Sequence, residues 1–158
     1  QGQRRLTALR IALESVAQPE VRRLIDALDN YQLPLYPAES HHGINVAALS
    51  KPNVLFAVAR TATQQAVGCG AVVLCPAYGE LKRMWVNPDY RGQGIGRAVL
   101  DFLESQARLR GCRRFALETG TLQPEALTLY ERAGYARCGP FGDYAEDPNS
   151  VFMHKTVT

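Results

Sequence analysis

The chain has 158 residues, of which 46% are hydrophobic and 21% are charged, and its formal net charge is +3. This length and composition predict a single folded domain with a sizeable apolar core. So small a net charge argues against nucleic acid as a partner, and the sequence has no apolar run long enough to cross a bilayer, so we expect no membrane partner.

The chain contains four cysteines, which are Cys69, Cys75, Cys112 and Cys138. They form no CxxC pair and share no metal-ligand spacing. Each lies in or beside an apolar run, which favours buried free thiols in a reducing compartment. Because the N-terminus also shows no basic-then-apolar signal pattern, we expect a cytoplasmic protein. We interpret residues 1–2 as a cloning remnant and expect one domain over residues 3–158.

The first half of the chain predicts strands around one amphipathic helix. Apolar and polar residues alternate over residues 6–13, which predicts a half-buried strand. Pro19 opens a helix whose apolar residues fall on one face. Residues 31–45 are polar, contain two prolines and show no periodicity, so we expect a loop that covers a site. A hairpin of two strands and then a third strand follow, at residues 54–59, 66–74 and 80–86.

The second half alternates helices with strands. An apolar stripe over residues 95–107 predicts a helix that ends near Gly111, and a short strand follows at residues 115–118. Pro124 suits the first turn of another helix, which Gly134 closes. Two final strands flank a loop, and these three segments cover residues 135–138, 139–149 and 151–157. This order predicts an α/β fold with a mixed sheet.

Glycines join a strand to a helix at residues 86–97, with the sequence VNPDYRGQGIGR. The pattern Arg91-x-x-Gly94-x-Gly96 leaves consecutive backbone N–H groups uncovered at a helix N-terminus, where the helix dipole adds positive potential. Arg91 and Arg97 place cations on both sides of this turn. The pattern therefore predicts a site for a cofactor that carries phosphates, although a purely structural turn is the alternative.

Two common phosphate-binding motifs do not match this turn. A dinucleotide fingerprint needs G-x-G-x-x-G, but Arg97 and Val99 stand where its spacing would require glycine. A P-loop needs Gly-Lys followed by Ser or Thr, and this sequence is missing. The turn also follows several strands, whereas a dinucleotide site usually opens the first strand–helix unit.

Together with its neighbours, the turn closely resembles the GNAT acyltransferase superfamily. The matching segments cover the central half of the chain and are Glu80–Val86, Arg91–Gly96, Glu118–Gly120 and Gln123–Tyr135. The resemblance implies a single-domain α/β fold with a mixed, mainly antiparallel sheet of about six to seven strands. It also implies a central parallel pair that splays around the cofactor, about four flanking helices, and membership of a bacterial small-molecule subgroup.

The family implies acetyl-CoA as the acyl donor. The glycine turn would hold the diphosphate, and the strand before it would pair with the pantetheine arm. A bulge in that strand would point the amide of Met84 at the thioester oxygen. Gln123 stands where many relatives have an Asn that contacts the same arm. The predicted cofactor-binding residues are Met84, Trp85, Val86, Arg91, Gly92, Gln93, Gly94, Ile95, Gly96, Arg97 and Gln123.

The resemblance also implies two catalytic residues, Glu80 and Tyr130. Glu80 aligns with a carboxylate that serves as general base in part of the superfamily, acting through a water. The alternative is a strand residue that pairs with Lys82 or Arg83. Tyr130 aligns with the tyrosine that protonates the CoA sulfur, since a phenol is neutral at physiological pH. The alternative is an aromatic residue on a buried helix stripe.

Candidate acceptor-binding residues come from the two predicted loops and are Tyr36, His42, Phe141, Asp143 and Tyr144. Asp143 suits either the ammonium group of a substrate or the capping of a turn. Adjacent histidines such as His41 and His42 point to opposite faces of a strand and have no evident third ligand, so we predict no metal site.

The expected function is transfer of acetyl from acetyl-CoA to a primary amine of a small molecule, by direct attack in a ternary complex. A non-catalytic acyl-CoA-binding module and an acetyltransferase for protein lysines or N-termini are the alternatives. A homodimer is a further expectation, because two-fold dimers are common among such enzymes.

Overall fold

A computed structural model describes residues 8–40 and 45–158. The strands of this part are β1 Leu9–Leu13, β2 Val54–Thr61, β3 Ala66–Leu74, β4 Gly79–Val86, β5 Arg114–Gly120, β6 Ala136–Cys138 and β7 Ser150–Thr156. The helices are α1 Pro19–Gln32, α2 Val46–Leu49, α3 Ile95–Arg108 and α4 Pro124–Arg132, and two 3-10 turns lie at Ala38–Ser40 and Pro88–Tyr90. None of the described helices is long and apolar enough to cross a membrane.

The strands form one sheet in the order β1-β2-β3-β4-β5-β7-β6. Neighbouring strands are antiparallel throughout, except that β4 and β5 are parallel. The parallel pair is short, because its described pairing ends where Leu81 meets Leu117, although both strands continue. The strands therefore separate beyond this point, and the predicted fold class, with its splayed central pair, is confirmed.

A bulge interrupts β4 just beyond the parallel pairing. The register of β3 against β4 shifts between Cys69 and Ala71, so that Arg83 and Met84 together face Gly70. Arg83 has a φ of 59°, in the left-handed region that favours glycine. The bulge that the resemblance implied at Met84 is thus confirmed.

Helices pack on both faces of the sheet. On one face, α3 buries the apolar stripe predicted from its sequence against the central strands, with Val99, Leu100, Leu103 and Ala107 fully buried. On the other face, α1 packs its own stripe around Trp85, through Val21, Leu24, Ile25 and Leu28. The 3.6-residue period of each helix explains why one stripe is enough to attach it to the sheet.

The loop predicted over residues 31–45 starts later in the structure than predicted, whereas its predicted end agrees with the start of α2 at Val46. Helix α1 continues through Gln32, because the ring of Tyr31 in its last turn packs against Trp85 at a centroid distance of 5.5 Å. At the other end the side chain of Asn45 caps α2 by accepting a hydrogen bond from Ala48 N at 2.8 Å. The start of the strand predicted over residues 6–13 lies outside the described residues.

Glu104 on α3 connects two other elements. Its Oε2 accepts a hydrogen bond from the Tyr135 hydroxyl at 2.7 Å, and its Oε1 lies 2.9 Å from Lys155 Nζ. Because Glu104 is buried, Glu104→Ala leaves the buried Tyr135 hydroxyl without this acceptor and removes the ion pair with Lys155. We expect the free energy of unfolding in urea to fall by about 2–3 kcal/mol.

The control for this substitution is Asp101→Ala, on the exposed side of the same helix. Within the described part of the chain, Asp101 forms only an exposed ion pair with Arg97 one turn earlier, so its loss should cost less than about 0.5 kcal/mol. Equal losses in the two variants would contradict a buried role for Glu104.

Candidate active site

A cleft of about 280 Å³ lies between the end of β4, the N-terminus of α3 and helix α4. All the predicted cofactor-binding residues line it except Gln93, and Tyr130 lines it as well. Sequence analysis did not identify its other lining residues, which are Tyr31, Tyr90, Glu125, Ala126 and Leu129. Of these, Glu125, Ala126 and Leu129 lie within the matching helix segment, whereas Tyr31 comes from α1 and carried no sequence signal.

The glycine turn leaves backbone open to the cleft. Gly92 and Gly94 have φ values of 79° and 80°, and a Cβ added at Gly94 would meet no described atom within 4 Å. Gly94 also caps α3, so the first N–H groups of that helix point at this open space. Arg97 lines the cleft, with its charge partly offset by Asp101 at 3.0 Å. The turn thus fits a diphosphate.

Arg91 is held beside this turn by strand β4. Its guanidinium carbon lies 4.6 Å from the centroid of the Trp85 ring, and its Nε donates to Val86 O at 3.1 Å. A cation over an aromatic face and a hydrogen bond to the strand limit its motion. Arg91 therefore presents a positioned positive charge at the edge of the cleft.

Tyr130 is a buried tyrosine in the wall of the cleft. Its ring packs edge-on against Tyr135, with centroids 6.0 Å apart. Burial raises the pKa of its hydroxyl, and the negative charge of Glu118 raises that pKa further. The phenol consequently keeps its proton through the whole physiological range.

A second pocket, of about 80 Å³, lies between β4 and β5 on the α1 side of the sheet. We call it the acceptor pocket, because the family resemblance predicts an acceptor site beside the acyl donor. Its polar lining residues include Tyr36, Lys82, Arg83, Glu118, Gln123 and Asn149. It adjoins the cleft at two places, because Gln123 lines both cavities and because Arg83 and Met84 are consecutive.

Tyr36 and Gln123 form the boundary between the two cavities. Leu122 N donates to the Tyr36 hydroxyl oxygen, and that hydroxyl bonds to Gln123 Oε1, both at 3.1 Å. A Cβ on Gly120 would overlap the Tyr36 hydroxyl, so only glycine allows this close approach. Because Tyr36 occupies the Gln123 oxygen, the amide NH₂ is the end that can meet a ligand.

Glu80 lies behind the acceptor pocket and is not among the residues that line either cavity. It is 8% exposed, and its Oε2 accepts a hydrogen bond from the Tyr144 hydroxyl at 2.5 Å. Lys82 Nζ lies 3.1 Å from the same oxygen and 2.8 Å from the Tyr144 hydroxyl. The pairing with Lys82 that the sequence left open is therefore present. Burial first, and then Glu80, raise the pKa of Tyr144.

The structure separates the predicted acceptor-binding residues. Tyr36 lines the acceptor pocket, and Tyr144 reaches it through Lys82. Phe141 instead packs edge-on in an aromatic cluster with Tyr144, and exposed Asp143 is not among the described lining residues of either cavity. His42 lies outside the described residues. Sequence analysis did not propose Lys82, Arg83 or Glu118 for this pocket, although all three lie in segments that match the family.

Comparisons with known proteins now identify the chain. Residues 20–135 match the Acetyltransferase (GNAT) family. A protein named IAA acetyltransferase from Azospirillum brasilense is 46% identical over 149 residues, covering 93% of this chain and 97% of the relative. A structure solved as that of an acyl-CoA N-acyltransferase from Klebsiella pneumoniae is 36% identical, with a TM-score of 0.80, over 95% of this chain and 98% of the other.

The same fold occurs in PaiA N-acetyltransferase from Thermoplasma acidophilum, solved in complex with coenzyme A. The TM-score is 0.70 at 16% identity, over 95% of this chain and 99% of the other. The fold and the glycine-lined cleft define an acyl-CoA-dependent transferase. The chain belongs to the GNAT acetyltransferase family, and it is an N-acetyltransferase whose acyl donor is acetyl-CoA.

A substitution at Gly96 tests whether the cleft binds coenzyme A, because it should change ligand affinity without lowering the stability of the protein. A Cβ added at Gly96 would lie 3.4 Å from Leu129, so alanine fits there. Alanine also has a higher helix propensity than glycine. The methyl group nonetheless intrudes beside the amides at the start of α3. We expect Gly96→Ala to retain or raise the melting temperature and to weaken coenzyme A binding on the order of 10-fold in calorimetry.

Gly139→Ala is the matched control for this substitution. A Cβ at Gly139 would meet no described atom within 4 Å, and Gly139 is not among the described residues that line the cleft. Its coenzyme A affinity should equal that of the unsubstituted protein. An unchanged affinity in Gly96→Ala would show that the ligand does not approach the first turn of α3.

Proposed function

We propose that the protein transfers acetyl from acetyl-CoA to a primary amine of a small molecule, by direct attack in a ternary complex. The observation that carries the proposal is the acceptor pocket, a polar space of about 80 Å³ that adjoins the donor cleft at Gln123. A pocket of this size suits a small acceptor better than a polypeptide segment. The relative named IAA acetyltransferase also supports a small-molecule acceptor.

The residues of the cleft account for donor binding. The first amides of α3 and the Arg91 guanidinium hold the diphosphate. The edge of β4 at residues 84–86 pairs with the pantetheine arm, and the Gln123 NH₂ group donates to it. Acetyl-CoA supplies the acetyl group as a thioester, which an amine can attack.

The reaction moves one acetyl group and one proton. The acceptor nitrogen forms a bond to the acetyl carbon, the carbon–sulfur bond breaks, the nitrogen loses a proton and the sulfur gains one. The Met84 N–H, at the bulge, donates a hydrogen bond to the carbonyl oxygen as negative charge develops there. Tyr130 gives its proton to the departing sulfur, because its pKa keeps it protonated until that step.

Glu80 is the general base in this proposal, and Tyr144 connects it to the acceptor. The Tyr144 hydroxyl passes its proton to Glu80 along their 2.5 Å hydrogen bond and takes a proton from the acceptor nitrogen through a water. Lys82 contacts both groups and stabilises the negative charge that they share. This arrangement lets a carboxylate outside the pocket act inside it.

The cysteines support direct attack rather than an acyl-cysteine intermediate. All four are described as free, and none is among the residues that line either cavity. Burial raises the pKa of the Cys69 thiol to about 12, so a reactive thiolate does not form there at neutral pH. A single-displacement reaction should show initial-rate patterns that intersect, with no acetyl group retained on the protein.

The experiment that tests the function measures coenzyme A release against a panel of primary amines, with mass spectrometry of the products. Turnover together with an N-acetylated product supports the proposal. Acetyl-CoA binding without turnover on any amine would favour a non-catalytic sensor instead.

Tyr130→Phe tests the acid. Loss of the proton donor should lower kcat about 100-fold or more, with little change in the KM for acetyl-CoA. Burial raises the pKa of the Tyr130 hydroxyl above the ordinary value for tyrosine, so activity should not fall between pH 7 and pH 9 through loss of this proton. The readout is coenzyme A release as a function of pH.

Tyr135→Phe is the control, because Tyr135 packs against Tyr130 while its hydroxyl bonds to Glu104. This variant should lose about 1 kcal/mol of stability and keep its kcat. Equal kcat values in the two variants would refute the role assigned to Tyr130.

The relay is tested by a double-mutant cycle between Glu80 and Tyr144. If protons pass from Tyr144 to Glu80, then Glu80→Gln and Tyr144→Phe each lower kcat, and the double variant is no slower than the slower single variant. Rates are measured with the best amine from the panel. Additive losses would indicate that the two residues act separately.

A further inference from the structure

The bulge in β4 places two consecutive cations in the acceptor pocket. In a regular strand, neighbouring side chains point to opposite faces of the sheet. Here the register shift and the left-handed φ of Arg83 break the alternation, so that Lys82 and Arg83 both line the pocket. Met84, the second residue of the bulge, lines the donor cleft instead.

Both cations are held from outside the pocket. Arg83 forms an ion pair with Asp29 on α1, and Lys82 forms one with Glu80 at 3.1 Å. Neither acid is among the described residues that line the pocket. The two acids therefore orient the cations and offset the cost of burying them, while Lys82 and Arg83 themselves line the pocket.

The opposite wall of the pocket carries a negative charge. Leu81 and Leu117 are the last residues that pair between β4 and β5, so Lys82 and Glu118 are the first residues on each side of the gap. Glu118 Oε2 accepts a hydrogen bond from Ser150 Oγ at 2.7 Å. A pocket with cations on one strand and a carboxylate on the other is complementary to a zwitterion.

The position of Glu118 also determines which end of a bound zwitterion would lie near the reacting groups. Its negative charge raises the pKa of Tyr130 in the donor cleft and of Tyr144 beside Glu80. Glu118 also lines the acceptor pocket together with Gln123, the residue that lines the donor cleft as well. An ammonium group drawn to Glu118 would be at the reacting end of the pocket.

We propose that the acceptor is an amino acid or a similar compact amino carboxylate, which deepens and rests on the proposed acetyl transfer. Lys82 and Arg83 bind its carboxylate, and Glu118 binds its ammonium group. The ammonium group first loses one proton to the base, and the resulting amine attacks the acetyl carbon. The nitrogen loses a second proton as it becomes a neutral amide, the carbon–sulfur bond breaks, and the sulfur leaves with the proton that Tyr130 supplies. The product keeps its contact with the cations but loses its attraction to Glu118, which favours its release.

The test uses acceptors that differ in one group. A panel of L-amino acids is assayed for coenzyme A release, and the best of them is compared with its carboxamide and with its decarboxylated amine. The amino acid should have a kcat/KM roughly 100-fold above that of either analogue, since neither analogue carries the carboxylate that would bind the two cations. Mass spectrometry should identify the N-acetyl amino acid as the product.

Arg83→Gln tests whether Arg83 causes the preference for an acceptor that carries a carboxylate. It should reduce the ratio of kcat/KM for the acid to that for the amide by roughly 10-fold, the value of one charged hydrogen bond. Lys82→Gln should reduce the same ratio and serves as the second variant if Arg83→Gln does not fold. Because the readout is a ratio, losses common to both acceptors cancel. Arg137→Gln, at an exposed position on β6, is the control and should leave the ratio unchanged.

The outcomes separate this inference from the proposed function. Carboxamides or simple amines used as well as amino acids would overturn the inference and leave the acetyl transfer standing. A preference for acids that persists in both the Arg83 and Lys82 variants would overturn the assignment of these residues. Bound acetyl-CoA with no turnover on any acceptor would instead overturn the proposed function.

Discussion

The central constraint in this fold is the short pairing between β4 and β5. Only Gly79, Glu80 and Leu81 pair with the parallel neighbour, although both strands run on. Backbone N–H and C=O groups beyond the pairing still need partners, and buried groups of this kind are costly when unpaired. The gap therefore makes the centre of the sheet a place where another chain-like molecule can bind. Both cavities border this gap.

The bulge at Arg83 and Met84 divides that gap between the two cavities. Met84 lines the donor cleft and Arg83 lines the acceptor pocket, so one irregularity in one strand serves both sides. The tyrosines around the gap have a common property. Burial raises the pKa of Tyr36, Tyr130 and Tyr144, which keeps them as neutral proton donors. Their hydroxyls thus add polarity to the site without adding charge.

Much of the donor side could be predicted from sequence, and less of the acceptor side. The glycine turn is local, since its function depends on backbone conformation within a few residues, and a family motif marks Tyr130. The positions of Tyr31 and Glu118 at the cavities depend on contacts between distant parts of the chain. Tyr31 lies there because α1 packs on Trp85, and Glu118 lies there because β5 diverges from β4. Asp143 illustrates the same limit, since a loop residue near a site in sequence proves to be exposed.

The backbone conformation of Arg83 lowers the stability of the fold. A residue with a side chain in the left-handed region loses roughly 1–2 kcal/mol relative to one in a favoured region, and glycine would remove that penalty. Glycine would also remove the guanidinium that lines the acceptor pocket and pairs with Asp29. Stability and function therefore have different optimal residues at this position, as is common where activity needs strained backbone. Attempts to make this enzyme more heat-resistant should leave residue 83 alone.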